Sequence, residues 1–162
     1  MKILILSDSH SSLHFMREAI RYFSPNAVIH LGDYYDDGTA MAEEFPDVRF
    51  YQVPGNCDKY RNIMGVPEIL VCKVCGVKLY LTHGHCHYVK SGLWSLLKDA
   101  RRAGVQGVLF GHTHATYCTQ EPDGLWVVNP GSCGYGGRTA ALMEVADGKI
   151  SGCHIIGQLD LV

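Results

Sequence analysis

Short apolar runs that end in carboxylate, amide or imidazole side chains recur along this chain, and the first of them is Met1–His10. Its apolar part is too uniformly hydrophobic for a half-solvated hairpin, so it predicts a strand buried on both faces. Asp8 and His10 follow two residues apart, and on an extended chain side chains at that spacing point the same way. Taken alone, the segment also fits a surface loop with a helix cap at Ser9 or Ser11.

Apolar spacing predicts the remaining elements as far as residue 114. Helical periodicity predicts helices at Ser12–Phe23, Thr39–Phe45 and Ser91–Ala103. Apolar runs predict strands at Ala27–Asp33, Arg49–Asn56, Val77–His85 and Gly107–His114. Glu68–Leu81 reads as two strands that turn at Cys75-Gly76. The opening order of strands and helices indicates a parallel sheet with right-handed crossover connections.

Beyond Ala115, hairpin patterns replace the alternation of strands and helices. Strands are predicted at Thr116–Thr119, Leu125–Ser132, Ala140–Ala146 and Ile150–Ile156. The last two flank Asp147-Gly148, a strong turn signal. We therefore predict an α/β fold, a four-layer αββα sandwich in which two mixed β-sheets pack face to face between outer helices. We find no linker or repeat, and we expect one domain over residues 1–162.

Composition and charge argue against several classes of protein. The formal net charge is −2 and the only basic cluster, Arg101-Arg102, ends a predicted helix, which argues against nucleic-acid binding. No apolar run could span a bilayer and the first residues do not resemble a signal peptide, so we expect a cytoplasmic protein without membrane contacts. Seven cysteines, an odd number, are expected to be reduced thiols. We interpret the single CxxC, Cys72 to Cys75, as small side chains on a hairpin.

The polar residues at the strand ends form the candidate site. They are Asp8-x-His10, Gly32-Asp33, Gly55-Asn56, His83-Gly-His85 and Gly111-His112-Thr-His114. Most of these motifs place a glycine beside the polar residue, as a tight turn or a close backbone approach requires. A pair of divalent ions needs about seven protein ligands, one of them a bridging carboxylate. The chain offers Asp8, His10, Asp33, Asn56, His83, His112 and His114. Imidazole and oxygen ligands suit Mn, Fe, Ni, Co or Zn better than Mg or Ca.

These motifs, with Asp58 two residues after Asn56, resemble the five blocks of the calcineurin-like metallophosphoesterases, in order and over nearly the whole chain. The short length, the Gly-Asn-Cys-Asp sequence and Asn129-Pro-Gly-Ser resemble the small YfcE-type phosphodiesterases of bacteria and archaea. The resemblance implies a hydrolase that cleaves a small-molecule phosphate ester, preferably a diester, with two divalent ions. Mn is the first choice, ahead of Ni, Fe, Co or Zn. The resemblance also suggests a homo-oligomer, either a dimer or a tetramer.

The resemblance implies a mechanism and an assignment of the metal ligands. By the family's mechanism, a hydroxide shared between the ions attacks phosphorus in line with the leaving oxygen. One ion would be held by Asp8, His10, Asp33 and His114, and the other by Asp33, Asn56, His83 and His112. Asp33 is then the bridge. Asn56 can bind metal through its amide oxygen and donate to a phosphoryl oxygen through its nitrogen.

One position departs from the family pattern. Many members have a histidine after the Gly-Asn pair, where it assists the leaving group, and this chain has Cys57. Because a thiol is a poorer proton donor to an alkoxide, we expect good leaving groups to be favoured unless another acid serves. His85 is the candidate for that role. The alternative is that His85 orients a metal ligand or faces solvent.

A second class of function is open to this fold. The related retromer subunit is a binding scaffold with a decayed site, so an inactive or weakly active protein-binding scaffold is the alternative to an enzyme. Loss of ligands separates the two, and none of the seven is missing from this sequence. The P-loop, the dinucleotide-binding Gly-x-Gly-x-x-Gly and the nucleophile elbow are all absent from it.

Overall fold

The computed structural model describes residues 1–59 and 63–161. In these ranges the strands are β1 Lys2–Leu6, β2 Ala27–His30, β3 Arg49–Gln52, β4 Ile69–Val74, β5 Val77–Thr82, β6 Gly107–Leu109, β7 Tyr117–Gln120, β8 Trp126–Asn129, β9 Thr139–Ala146 and β10 Lys149–Gly157. The α-helices are α1 Leu13–Phe23, α2 Tyr35–Glu44 and α3 Trp94–Ala103. Short 3-10 turns cover Asn56–Asp58, His85–His87, Val89–Ser91 and Gln158–Leu161. Within the described ranges, no helix has the length and apolar character needed to span a bilayer.

The strands form two mixed sheets of five strands each. The first has the order β10-β9-β1-β2-β3, in which β1, β2 and β3 are parallel and β9 is antiparallel to both of its neighbours. The second has the order β4-β5-β6-β8-β7, in which β5, β6 and β8 are parallel and the two edge strands are antiparallel. Each sheet therefore contains three parallel strands whose carboxyl ends lie along one edge.

Three apolar cores separate the four layers. In β1, Ile3 and Ile5 belong to the core between the two sheets, together with Leu79 of β5. The alternate residues Leu4 and Leu6 pack in a second core with side chains of α1 and α2. A third core lies between the second sheet and α3. The four apolar side chains of β1 are fully buried, which explains the uninterrupted apolar run. The predicted αββα sandwich is confirmed.

The strands that carry the candidate ligands end earlier than the sequence predicts. β2 ends at His30 and β6 at Leu109, whereas the predicted strands continue to Asp33 and His114. The backbone at Asp33 and His114 has φ values of 56° and 58°. Left-handed residues cannot continue a pleated strand, so these polar tails form loops beyond the sheet.

Helix α2 begins at Tyr35 rather than at the predicted Thr39. Its first turn contains Asp37, and the helix dipole favours a carboxylate there. The same carboxylate accepts a hydrogen bond from Ser9 Oγ at 2.7 Å. A contact between distant parts of the chain therefore stabilises the added helical turn, and local spacing could not indicate it.

The start of α1 shows whether Ser9 or Ser11 caps a helix after a surface loop, which was the alternative for the end of the first strand. The N-cap residue is Ser12, and it makes no side-chain capping hydrogen bond. Ser9 is fully buried, and its hydroxyl lies 3.0 Å from His30 Nε2 as well as contacting Asp37. The alternative of a surface loop with a helix cap at Ser9 or Ser11 is therefore wrong.

Candidate metal centre

The candidate ligands follow five strands, β1, β2, β3, β5 and β6, in loops with unusual backbone geometry. Five of them have positive φ: Asp8 at 55°, His10 at 45°, Asp33 at 56°, His112 at 67° and His114 at 58°. Left-handed backbone costs a residue other than glycine about 1 to 3 kcal/mol, and it persists only where the surrounding structure holds it. Its concentration at these positions indicates that the loops are held for the placement of their side chains.

Glycines allow these loops to approach each other closely. A Cβ on Gly55 would lie 2.1 Å from Asp33 Oδ1, and a Cβ on Gly111 would lie 2.0 Å from Ser7 Oγ. Gly32 has a φ of 99°, and its Cβ would lie 2.5 Å from the backbone nitrogen of Gly55. These separations are too short for nonbonded atoms. The glycines beside the candidate ligands thus permit the close approach that the sequence predicts.

Two buried carboxylates lie at the centre of the cluster. Asp8 is fully buried, and Asp33 is 4% exposed. His114 Nε2 lies 3.1 Å from Asp8 Oδ1. Asp33 has an imidazole on each side: His10 Nε2 lies 3.8 Å from Oδ2, and His83 Nε2 lies 3.5 Å from Oδ1. Asp33 therefore lies between two imidazoles, which is the placement that a carboxylate needs to bridge two cations.

His112 and Asn56 extend the cluster around His83 and Asp33. The ring centroid of His112 lies 5.0 Å from that of His83. Asn56 begins a 3-10 turn, and the backbone N–H of Cys57 in that turn donates to Asp33 Oδ1 at 2.9 Å. The structure therefore brings the four imidazoles and two carboxylates together, and the Asn56 turn joins them through its neighbour.

Four ligand atoms here are buried without a hydrogen-bond partner among the described residues: Asp8 Oδ1, His10 Nε2, Asn56 Oδ1 and His83 Nε2. An unsatisfied buried polar atom costs about 1 to 3 kcal/mol, and folded proteins contain few of them. Carboxylate and amide oxygens and imidazole nitrogens are metal ligands. The residues present therefore fit divalent cations.

Hydrogen bonds orient two of these ligands, His83 and Asp8. His83 Nδ1 donates to the Leu31 carbonyl oxygen at 2.7 Å, and a neutral ring then has a free lone pair on Nε2. Asp8 Oδ2 accepts from Ser7 Oγ at 2.5 Å and from the His112 N–H at 3.2 Å. The other oxygen, Oδ1, is the one that faces the imidazoles of the cluster.

Two buried polar residues tie the ligand loops to each other. Asp58 accepts hydrogen bonds from the N–H groups of Tyr34 and Gly55, which joins the loops that follow β2 and β3. Asn129 donates through Nδ2 to the Gly111 carbonyl oxygen at 3.0 Å. The loop after β6 is therefore held from the end of β8.

Burial and charge set the protonation of the cluster. Burial favours the protonated form of Asp33, but the His83 charge and the Cys57 N–H outweigh it and lower the pKa of that carboxyl. Burial, the His83 charge and Lys90 lower the pKa of His112 to about 4. An ionised carboxylate and a neutral imidazole are the forms that bind metal, so these two shifts favour the metal-binding forms of Asp33 and His112.

Cys57 and His85 adjoin the cluster. Burial and the hydrogen bond to the neighbouring Asp33 carboxylate raise the pKa of Cys57 to about 11. The His85 ring centroid lies 5.5 Å from that of His83 and 6.2 Å from that of His112. Its Nδ1 is buried and has no hydrogen-bond partner in the described part of the chain. His85 thus packs against two proposed ligands and is only partly open to solvent.

Sequence analysis did not identify Glu68 or Tyr135 as part of this region. Glu68 Oε1 lies 3.4 Å from His85 Nε2. The Tyr135 ring centroid lies 4.8 Å from that of His10. A lone aromatic residue in the glycine-rich segment 134–137 was the available signal for Tyr135. Glu68 is an ordinary acidic residue before a strand, so nothing in the local sequence marks it.

Two packed mixed sheets with carboxylates and imidazoles at their strand ends define a class of metal-dependent phosphoesterases. The calcineurin-like phosphoesterase superfamily domain matches residues 1–148, so the chain belongs to that superfamily. A phosphodiesterase of Methanocaldococcus jannaschii is 31% identical over 150 residues, with 82% of this chain and 84% of the relative covered. The crystal structure of a predicted phosphoesterase from Streptococcus pneumoniae superimposes with a TM-score of 0.73 at 28% identity, over 90% of this chain and 83% of that one.

The fold also occurs in a protein of different name. Vacuolar Protein Sorting 29 of Cryptosporidium parvum superimposes with a TM-score of 0.71, over 97% of this chain and 98% of that one. The two sequences are 20% identical, so the likeness is one of fold alone. Fold does not determine function, and the function of this chain must be argued from its site.

Proposed function

We propose that this protein is a phosphodiesterase that cleaves a small-molecule phosphate ester with two divalent cations, Mn²⁺ first among them. The observation that carries the proposal is the convergence of unpartnered ligand atoms on two buried carboxylates. The relationship to a phosphodiesterase at 31% identity supports the preference for diesters. The mixed oxygen and imidazole donor set supports a transition metal over Mg²⁺ or Ca²⁺.

The proposed ligands divide into two sets that share Asp33. They are Asp8, His10 and His114 on one side, and Asn56, His83 and His112 on the other. Donor atoms of Asp8, His10 and His114 all lie within 4.8 Å of one another, which supports the first set. Those of Asp8, Asp33 and His83 do so as well, so Asp8 lies beside both sets. When bound, a pair of cations supplies a nucleophilic water of lowered pKa and neutralises charge on the phosphoryl oxygens.

Three side chains of the protein are proposed to act on the substrate or near it. Asn56 can donate from Nδ2 to a phosphoryl oxygen while its Oδ1 serves as a ligand. The thiol of Cys57 is a weak acid, since its pKa is raised to about 11. We therefore assign proton donation to the leaving oxygen to His85. Its Nδ1 has no hydrogen-bond partner among the described residues, whereas Nε2 faces Glu68.

The decisive experiment removes the shared charge. In Mn²⁺-loaded protein, Asp33→Asn is expected to lower turnover of bis(p-nitrophenyl) phosphate about 100-fold or more and to reduce the metal content, because both cations lose an anionic ligand. Asp47→Asn makes the same change at an exposed position between α2 and β3 and serves as the matched control. It is expected to retain both activity and metal. Undiminished turnover in Asp33→Asn contradicts the proposal.

The same measurements test the scaffold alternative. That alternative predicts a protein whose ligand residues no longer serve metal binding or turnover. Pure wild-type protein that holds no metal after Mn²⁺ supplementation and hydrolyses no aryl diester supports the scaffold and rejects the enzyme. Two bound cations per chain together with turnover reject the scaffold.

A further inference from the structure

We propose a third metal site, formed by Glu68, His85 and Cys86, that takes a thiophilic divalent cation such as Zn²⁺. Each of the three side chains places a donor atom within 4.8 Å of the other two. None of them is among the seven ligands proposed for the carboxylate centre. The inference therefore goes beyond the proposed function and needs only these three side chains.

The hairpin register brings the three residues together. Strands β4 and β5 are antiparallel, and Ile69 at the start of β4 pairs with Thr82 at the end of β5. Glu68 comes directly before β4, so it lies beside the chain that leaves β5. His85 and Cys86 occupy the 3-10 turn that this chain forms. The site thus depends on the register of one strand pair, with both of its parts next to rigid elements.

The spacing of the donor atoms matches a tetrahedral cation site. Cys86 Sγ lies 3.0 Å from Glu68 Oε2 and 3.4 Å from His85 Nε2, and His85 Nε2 lies 3.4 Å from Glu68 Oε1. Zinc bonds of about 2.0 to 2.3 Å in tetrahedral geometry separate neighbouring ligand atoms by about 3.3 to 3.8 Å. If the Cys86 thiol and the His85 imidazole were each only hydrogen-bonded to the Glu68 carboxylate, they would not need to contact each other. Here His85 Nε2 has the tetrahedral separation from both Cys86 Sγ and Glu68 Oε1. The shorter separation between Cys86 Sγ and Glu68 Oε2 is that of the thiol hydrogen bond, which a bound cation would replace.

Charge and access also suit a divalent cation. The Cys86 thiol now donates its proton to Glu68 Oε2. When a cation binds, this proton leaves to solvent, and the thiolate and carboxylate together neutralise two positive charges. His85 binds as neutral imidazole through Nε2, with its remaining proton on Nδ1. Glu68 is 52% exposed, so the cation and a fourth ligand from water can reach the site.

The sulfur ligand sets this site apart from the carboxylate centre. Thiolates favour Zn²⁺ and Co²⁺ over Mn²⁺, whereas the centre offers only oxygen and imidazole ligands. The cation that fills the third site is therefore expected to differ from the one that supports turnover. A thiolate ligand also gives Co²⁺ a charge-transfer absorption that oxygen and nitrogen ligands do not produce.

Cobalt titration of the whole protein under argon tests the proposal. We expect wild-type protein to bind three Co²⁺ per chain by elemental analysis and to develop a thiolate-to-cobalt band in the near ultraviolet. Cys86→Ser is expected to bind one Co²⁺ fewer and to lose the band. Glu68→Gln keeps the shape of the side chain without its charge, and it is expected to weaken binding of the third ion at least tenfold. Both positions are exposed, so both variants are expected to fold.

Cys57→Ser is the matched control, because Cys57 is the other exposed thiol beside the cluster. The proposal requires the band to persist in this variant. A band lost in Cys57→Ser but kept in Cys86→Ser overturns the proposal, as does wild-type protein without any band. Titration of Asp33→Asn separates the two sites. A retained band there, with fewer ions bound in total, shows that the third site stands even when the carboxylate centre fails.

Discussion

Cys57 and Asp33 affect each other, because the carboxylate accepts from the thiol and its charge opposes formation of a thiolate. Replacing Cys57 with His places a side chain of ordinary pKa about 6.5 at this position. We expect turnover of alkyl diesters to rise roughly tenfold more than turnover of nitrophenyl diesters, since only the poor leaving groups need a proton. Steady-state rates across a leaving-group series measure this. An equal change for both ester types contradicts the idea that a proton donor is missing here.

His85 gives the complementary prediction. His85→Asn removes the proposed donor but keeps a polar side chain of similar size. Turnover of alkyl diesters is expected to fall by 10²-fold in order of magnitude, while nitrophenyl diesters change little. The ratio of kcat values for the two ester types is the measurement, with metal content checked in parallel. A loss shared by both ester types identifies a positioning role instead.

His30 makes the stability of the fold depend on pH. It is fully buried on β2, and burial lowers its pKa from 6.5 to about 4. Between these two values the unfolded chain binds more protons than the folded chain, so stability decreases as the pH falls through this window. The contribution lost at pH 5 is about 2 kcal/mol. We expect His30→Gln to lose less stability than wild type between pH 7 and pH 5.

Urea unfolding at both pH values, with chelator present, measures this difference. His14→Gln is the matched control, because His14 is exposed on α1. That variant is expected to follow the wild-type pH dependence. If His30→Gln and wild type lose the same free energy of unfolding, His30 is not the group responsible.

At the scale of elements, the contact between the loops after β1 and β6 aligns the two sheets. Gly111 lies against Ser7, and a Cβ there would stand 2.0 Å from Ser7 Oγ and 2.8 Å from Asp8 Oδ2. Gly111→Ala is therefore expected to lower the free energy of unfolding by about 1 to 3 kcal/mol and to weaken metal binding. Urea unfolding and metal titration test the two effects.

A second substitution distinguishes crowding from other causes. Ser7→Ala removes the hydroxyl that the new methyl group meets, so the double variant is expected to recover part of the lost stability. Gly137→Ala is the control, because no atom of the described residues lies within 4 Å of a Cβ at that position. It is expected to change stability by less than about 0.5 kcal/mol. Strictly additive effects of the two substitutions contradict the crowding explanation.

The elements show what can be predicted from a sequence of this kind and what cannot. The strands and the layered fold could be predicted, because strands buried on both faces leave uninterrupted apolar runs such as residues 3–6. The candidate ligands could be found because they follow such runs. The early start of α2 depends on Ser9 meeting Asp37, and the position of Glu68 depends on hairpin register. Both are contacts between distant residues, which local patterns do not record.

In the molecule as a whole, the residues of the candidate site lower the stability of the metal-free fold. Carboxylate oxygens of Asp8 and Asp33 lie within 4.8 Å of each other, and both residues are buried. Like charges at such a distance oppose folding when no cation is bound. Positive φ at five ligands adds further strain. Metal binding to the folded chain alone is expected to offset these terms.

This arrangement predicts that Asp33→Asn changes Tm differently with and without metal. With Mn²⁺ at 100 times its dissociation constant, wild-type protein should gain about 2.7 kcal/mol for each site, or roughly 5 to 10 °C in Tm. Asp33→Asn removes one of the two repelling charges but also the charge that His83 and the Cys57 N–H favour, so in chelator its Tm is expected to stay close to that of wild type. In Mn²⁺ it is expected to lie below wild type, since the shared ligand is gone. Thermal unfolding in the two buffers gives all four values, and Asp47→Asn should follow wild type in both. If Asp33→Asn is less stable than wild type even in chelator, the carboxylate serves the fold itself, and the balance between stability and metal binding argued here does not hold.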